Sequence, residues 1–357
     1  MRRQKNYYVF ATDHRPHRIR RFFAVTGIVL LVLIMLGALS ALIMMNRVRL
    51  ETESVTVAGL PADLNGFSVL HLSDLHGAEL GREQAAVKGA LSGKTYSCVE
   101  MTGDMLGPEG QAEPLLDLLD VLNPDPAVPK LYLPGDEDAS YLDPFGHGSE
   151  SPFAEWAERL TERGVVILDR PYLVTRNKGK ARLWFVPLDL FTMNAERELE
   201  NWRDEVVKQR GSEAGRRVSR YQLERWTEIT QAQQEINKHP GDVIIAVTHA
   251  PMTEAYSRVT AKERQESPVF SLQHTSLVLA GHYCAGQWRV PFGPAVYVPD
   301  RGWFPSDENL TGLGWAGTTQ QYISPGLGAS RYYPMPAFRL FNSPAVTILK
   351  LTGSAVR

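Results

Sequence analysis

Five short apolar runs, each closing on a small polar cluster, constrain this chain more than any other feature. The clusters are Ser73-Asp74-Leu75-His76, Gly103-Asp104, Gly135-Asp136-Glu137-Asp138, Thr248-His249-Ala250-Pro251 and Gly281-His282-Tyr283-Cys284. The runs before them, residues 67–72, 96–101, 130–133, 242–247 and 277–280, are near-continuous, as strands covered on both faces require. Further β-rich runs lie at 54–57, 165–168, 181–186, 288–290, 295–298 and 345–351. Helix-like stretches at 82–91, 114–122 and 151–163 separate the early runs, and Ser151-Pro152 reads as an N-cap followed by Pro at the first helical position. This β-α-β-α-β order predicts an α/β fold. In such sheets the crevice outside the carboxyl ends of the strands gathers residues distant in sequence, so the five clusters converge.

Converging Asp, His and Cys side chains mean metal. Carboxylate and imidazole ligands suit divalent Mn, Fe or Zn, and the glycines before several of them let the backbone turn tightly. Each cluster alone is ordinary loop chemistry, but five in succession, each just after an apolar run, are not.

Residues 22–45 carry no charge over 24 positions, enough helix to span a ~30 Å hydrocarbon core. Residues 1–21 hold seven Lys/Arg against Asp13, which puts that head at +6 and the remainder at −8 within a net charge of −2. The positive-inside rule then predicts a single-pass anchor in the cell membrane, with a basic cytoplasmic tail (1–21) and an extracytoplasmic body. Ala38-Leu39-Ser40-Ala41 offers a signal-peptide cleavage site as the alternative, and Arg20-Arg21-Phe22-Phe23 has the look of a twin-arginine export signal. An acidic body argues against nucleic acid as a partner. Cys98 and Cys284 show no disulfide-framework spacing. The expected organisation is the anchor at 22–45, a linker and entry strand at 46–59, and one domain over 60–357. Residues 194–238 read as two amphipathic helices, with Trp202, Tyr221, Leu223 and Trp226 on the buried side; the alternative is a cap over the site.

The ordered motifs resemble the calcineurin-like metallophosphoesterase family, particularly its membrane-anchored bacterial branch. Asp74-Leu75-His76, Gly103-Asp104, Gly135-Asp136-Glu137-Asp138, His249, Gly281-His282-Tyr283-Cys284, Gly286-Gln287-Trp288-Arg289-Val290-Pro291 and Ser324-Pro325-Gly326-Leu327-Gly328 carry the resemblance, which runs from about Leu60 to Leu351. It implies a four-layer α/β/β/α sandwich and a binuclear centre of two divalent ions (Mn, Fe or Zn). Asp74, His76 and Cys284 would hold metal one, Asp136, His249 and His282 metal two, and Asp104 would bridge them. A hydroxide activated between the metals would hydrolyse a phosphomonoester or phosphodiester, possibilities that include a lipid-linked substrate given the anchor.

Three positions depart from the family pattern. Asp136 stands for Asn, Cys284 for His, and Glu137 for the histidine that stabilises the transition state or protonates the leaving group. Glu137 is expected to act as an acid in its place, with Asp104 and His249 as the other catalytic residues, and His147 offers an imidazole in the same loop. Arg289 is expected to bind the substrate phosphate. The alternative function is a catalytically impaired family member that binds a phosphorylated ligand or a partner. The aromatics Trp303, Phe304, Trp315, Tyr322, Tyr332 and Tyr333 suit the core, a substrate groove or a membrane surface.

Overall fold

The apolar runs form the middle strands of two sheets. In the computed structural model, which describes residues 16–45, 47–122, 125–146, 150–208, 211–262 and 275–353, two six-stranded sheets and a two-stranded ribbon are present among the described residues. The first sheet has the order β1 (Arg49–Val57), β14 (Ala345–Gly353), β2 (Ser68–Leu72), β3 (Cys98–Met101), β4 (Lys130–Tyr132) and β5 (Val165–Ile167). The second runs β12 (Gly312–Ala316), β13 (Thr319–Ile323), β9 (Thr275–Ala280), β8 (Val243–Val247), β7 (Ala181–Pro187) and β6 (Tyr172–Arg176), and the ribbon pairs β10 (Tyr297–Val298) with β11 (Gly302–Trp303). Strands β2 to β5 are mutually parallel, as are β7, β8 and β9. Each set therefore delivers its carboxyl ends to one edge.

Period-two alternation sorts the side chains into layers. Val69 of β2 packs between the sheets with Phe185, Ile245 and Leu279. Its neighbours Leu70 and Leu72 face outward against Val87 of α2 (Ala85–Leu91), Leu115 of α3 (Glu113–Val121) and Trp156 of α4 (Glu155–Thr161). On the far side Trp184 and Ile244 meet Leu199 of α5 (Ala195–Lys208) and Trp226 and Ile229 of α6 (Glu213–Lys238). The short α7 (Glu254–Lys262) follows β8. The result is the α/β/β/α sandwich, and the 194–238 block is two helices with Trp226 buried and Trp202, Tyr221 and Leu223 half-buried.

The entry strand read within 46–59 is longer than its apolar run at 54–57. Strand β1 begins at Arg49 and pairs in parallel with β14 over nine positions. Helix α1 (Pro16–Met45) precedes it, and its stretch Arg18–Ser40 is long and apolar enough to cross a membrane by length and composition. The N-cap expected at Ser151 does not form: α4 starts at Glu155, and the Ser151 hydroxyl accepts from the Phe153 amide in a local turn at 3.1 Å. Both cysteines are buried and free.

Candidate metal centre

The carboxyl ends of β2, β3 and β4 in one sheet, and of β8 and β9 in the other, bring the five polar clusters together. Five of the seven expected ligands, Asp74, His76, Asp104, His282 and Cys284, have φ between 47° and 73°. That left-handed region disfavours residues with a Cβ, and such conformations concentrate at functional sites. The loops are held there by mutual hydrogen bonds. The Asp74 amide donates to Gly103 O at 3.0 Å, the His76 amide to Asp104 O at 2.8 Å, and the His282 amide to Asp74 Oδ1 at 2.9 Å. At Gly281 the packing excludes any side chain, because a Cβ would lie 1.8 Å from Ser73 Oγ.

The donors form two groups beside Asp104. In the first, Asp104, Asp136, His249 and His282 converge: His249 Nε2 lies 3.0 Å from Asp104 Oδ2, 2.8 Å from Asp136 Oδ1 and 3.1 Å from His282 Nδ1. Nitrogen and oxygen ligands at right angles and about 2.1 Å from one cation would be about 3 Å apart, so these spacings fit a single ion. His249 Nδ1 sits 2.7 Å from Thr102 O, which can only accept, so Nδ1 carries a proton and Nε2 points into the group, where it donates to Asp136 in the metal-free chain and would ligate once a bound cation displaced its proton. Hydrogen bonds from His249 and His282 hold the Asp136 carboxyl well below the usual range.

The second group is Asp74, His76 and Cys284. Cys284 Sγ is 3.6 Å from His76 Nε2. A ~2.3 Å metal–sulfur bond and a ~2.0 Å metal–nitrogen bond at a tetrahedral angle put the two donors about 3.5 Å apart, so the shorter reach of the cysteine is no obstacle. Burial, with Asp74 beside it, pushes the Cys284 thiol up in the metal-free chain; a bound cation would reverse this and release the proton. The Cys284 carbonyl is pinned by Arg339 Nη2 at 2.9 Å and Asn342 Nδ2 at 3.0 Å, and Arg339 also donates to Gly328 O and Pro325 O. The donor set thus fits two divalent ions.

Glu137 bridges the two groups. Its Oε2 is 3.1 Å from His76 Nδ1, its Oε1 accepts from Ser330 Oγ, and its amide donates to Asp104 Oδ1 at 2.9 Å. A carboxylate on Nδ1 fixes the proton there and leaves Nε2 for the metal. Burial alone would depress His76, but its contacts with Cys284 and Glu137 outweigh burial and hold it well above the imidazole range. This placement favours an orienting role for Glu137 over the proton-donor role expected from the sequence. Asp138 takes the amides of Asp104, Gly135 and Leu106 at 2.8–2.9 Å and so locks two of the ligand loops together.

Arg289 is placed elsewhere than expected. Its guanidinium clasps both oxygens of Asp307, at 2.7 and 2.6 Å, in a separate cleft with Phe292 and Phe341. His147 lies outside the described residues. Of the downstream aromatics, Tyr322 and Tyr333 are buried, and Tyr333 donates to His282 O; Trp303, Phe304, Trp315 and Tyr332 are exposed. Thr102, Ser330, Arg339 and Asn342 carry no motif and were invisible in the sequence.

A cavity of about 540 Å³ opens beside the first group, bounded by Asp136, His249 and His282 at one end and by Arg225 of α6 at the other. A cavity beside Asp and His side chains that could hold divalent metal, at the carboxyl edges of a four-layer sandwich, is the arrangement of a metal-dependent phosphoesterase. The family model for calcineurin-like phosphoesterases matches residues 67–285, more than half the chain, and the protein belongs to that family. A search of curated proteins finds no match to the chain.

Proposed function

We propose that this is a membrane-anchored, extracytoplasmic metallophosphoesterase with a binuclear site, acting on a phosphomonoester or phosphodiester, with α1 as an uncleaved anchor and the N-terminus in the cytoplasm. The carrying observation is the convergence of seven donor side chains into two groups with metal-ligand spacing. In this reading Asp74, His76 and Cys284 would hold metal one, Asp136, His249 and His282 would hold metal two, and Asp104 would serve both. Bound there, two divalent ions would lower the pKa of a water and polarise the phosphoryl group. Thr102 O keeps His249 Nε2 directed inward, Glu137 does the same for His76, and Arg339 fixes the turn that presents Cys284. The cavity beside Asp136 takes the organic part of the substrate. Its proximity to a bilayer suits a lipid-linked ester, because Met45 and the first sheet residue Arg49 are at most about 14 Å apart along the chain.

The test is elemental analysis of the detergent-solubilised chain against Asp104→Asn. About two equivalents of Mn, Fe or Zn are expected, with loss in the variant. A metal-free chain after incubation with Mn and Zn refutes the proposal.

A further inference from the structure

We infer that the site takes a phosphate monoanion bearing two organic groups, a phosphodiester, in preference to the dianion of a monoester. The inference rests on the proposed binuclear site and follows from the charges around it. The ligand set contains three carboxylates, Asp74, Asp104 and Asp136. Three carboxylates would offset three of the four charges of two divalent ions, leaving a surplus of one, which matches a monoanion and falls short of a dianion.

The surroundings add none. Among the described residues, the one arginine or lysine lining the cavity is Arg225, and its Nε is 2.7 Å from Asp169 O and 3.4 Å from Asp169 Oδ2. Arg170, alongside, is shared between Asp169 at 3.0 Å and Glu228 at 2.7 Å, so the two arginines face two acids. Asp189 and Asp300 add further carboxylates to the cavity wall. Arg289, the other arginine suited to phosphate, is neutralised by Asp307 in a different cleft. Meanwhile the cavity has room for an organic group, with Leu133, Leu168, Leu188 and Val247 among its walls. Removing one ester group from the substrate adds a negative charge where the chain has nothing to meet it. At partly screened distances one such charge alters affinity by roughly tenfold or more.

The detergent-solubilised, metal-loaded chain is titrated calorimetrically at about pH 8 with methyl phosphate, a dianion there, and with dimethyl phosphate, a monoanion. Metal content is measured on the same samples. Dimethyl phosphate is expected to bind at least as tightly as methyl phosphate. In Asp189→Asn/Asp300→Asn, which leaves every proposed ligand in place, methyl phosphate should gain roughly tenfold while dimethyl phosphate changes little. In turnover, bis(p-nitrophenyl) phosphate should exceed p-nitrophenyl phosphate in kcat/KM. Two bound metals with tighter methyl phosphate binding, or with turnover favouring the monoester, overturn the inference and leave the metallophosphoesterase reading intact. A chain that binds no metal overturns both.

Discussion

Glu137 engages both carboxylate oxygens, one with His76 Nδ1 and the other with Ser330 Oγ. An acid that protonated the leaving group would leave metal content untouched when removed. An orienting residue would not, and Glu137→Ala should lose about 10–100-fold in affinity for metal one, with Ser330→Ala following in the same direction. Competition with a chelator followed by elemental analysis separates the two roles. Elsewhere, Glu100 is fully buried between the sheets, and neither of its oxygens has a hydrogen-bond partner among the described residues. Burial therefore raises its pKa well above the carboxyl range, and the native state holds it neutral. The stability of that neutral form is complete below about pH 4.3, the unfolded value, and drains away as pH climbs toward the folded value. Glu100→Gln cannot ionise, so its advantage over the parent should grow between about pH 5 and about pH 8 in thermal unfolding. The seven proposed ligands were legible because each sits in a local motif at the end of an apolar run. Ser330, Arg339 and Asn342 were not, because their significance lies in carbonyls and carboxylates far away in the chain.

The elements reach the site through loops so crowded that side chains are excluded from some positions. At Gly281 an added Cβ would meet Ser73 Oγ and lie 2.8 Å from Asp74 Oδ2. Gly281→Ala should therefore displace the turn after β2, costing about 1–3 kcal/mol of stability and reducing occupancy of metal one more than of metal two. Thermal unfolding and metal analysis of the same sample check both parts. Apolar strands such as β2, β8 and β9 were readable within a residue or two of their bounds. Strands β12 and β13 are hard to see by sequence because Gly312-Leu313-Gly314-Trp315 and Thr319-Gln320-Gln321-Tyr322 show no continuous apolar run. Residues 288–290 have the pattern of a strand but make isolated bridges, Trp288 to Leu340 and Arg289 to Ala295.

At the scale of the whole molecule, the sandwich closes with its first and last strands side by side. The expected domain start at residue 60 would remove β1 and leave β14 as an uncovered edge, a template for pairing with other chains. A chain beginning at Arg47 should be monodisperse in size-exclusion chromatography and retain metal, whereas one beginning at Leu60 should aggregate. By sequence the strand shows only from residue 54, because the preceding Arg49-Leu50-Glu51-Thr52-Glu53 is mostly polar, as a sheet edge permits and a central strand does not. The layer architecture was legible through the family resemblance, and its sheet order was not readable from periodicity.

The pairing of β1 with β14 also has a mechanical side. Where α1 is held in a bilayer, any drag on the body passes through the start of β1. Because the two strands run parallel over nine paired positions, tension along β1 loads that register in shear. The rungs then resist together instead of peeling one at a time, so the tether is fastened at one of the stronger seams a sheet can offer.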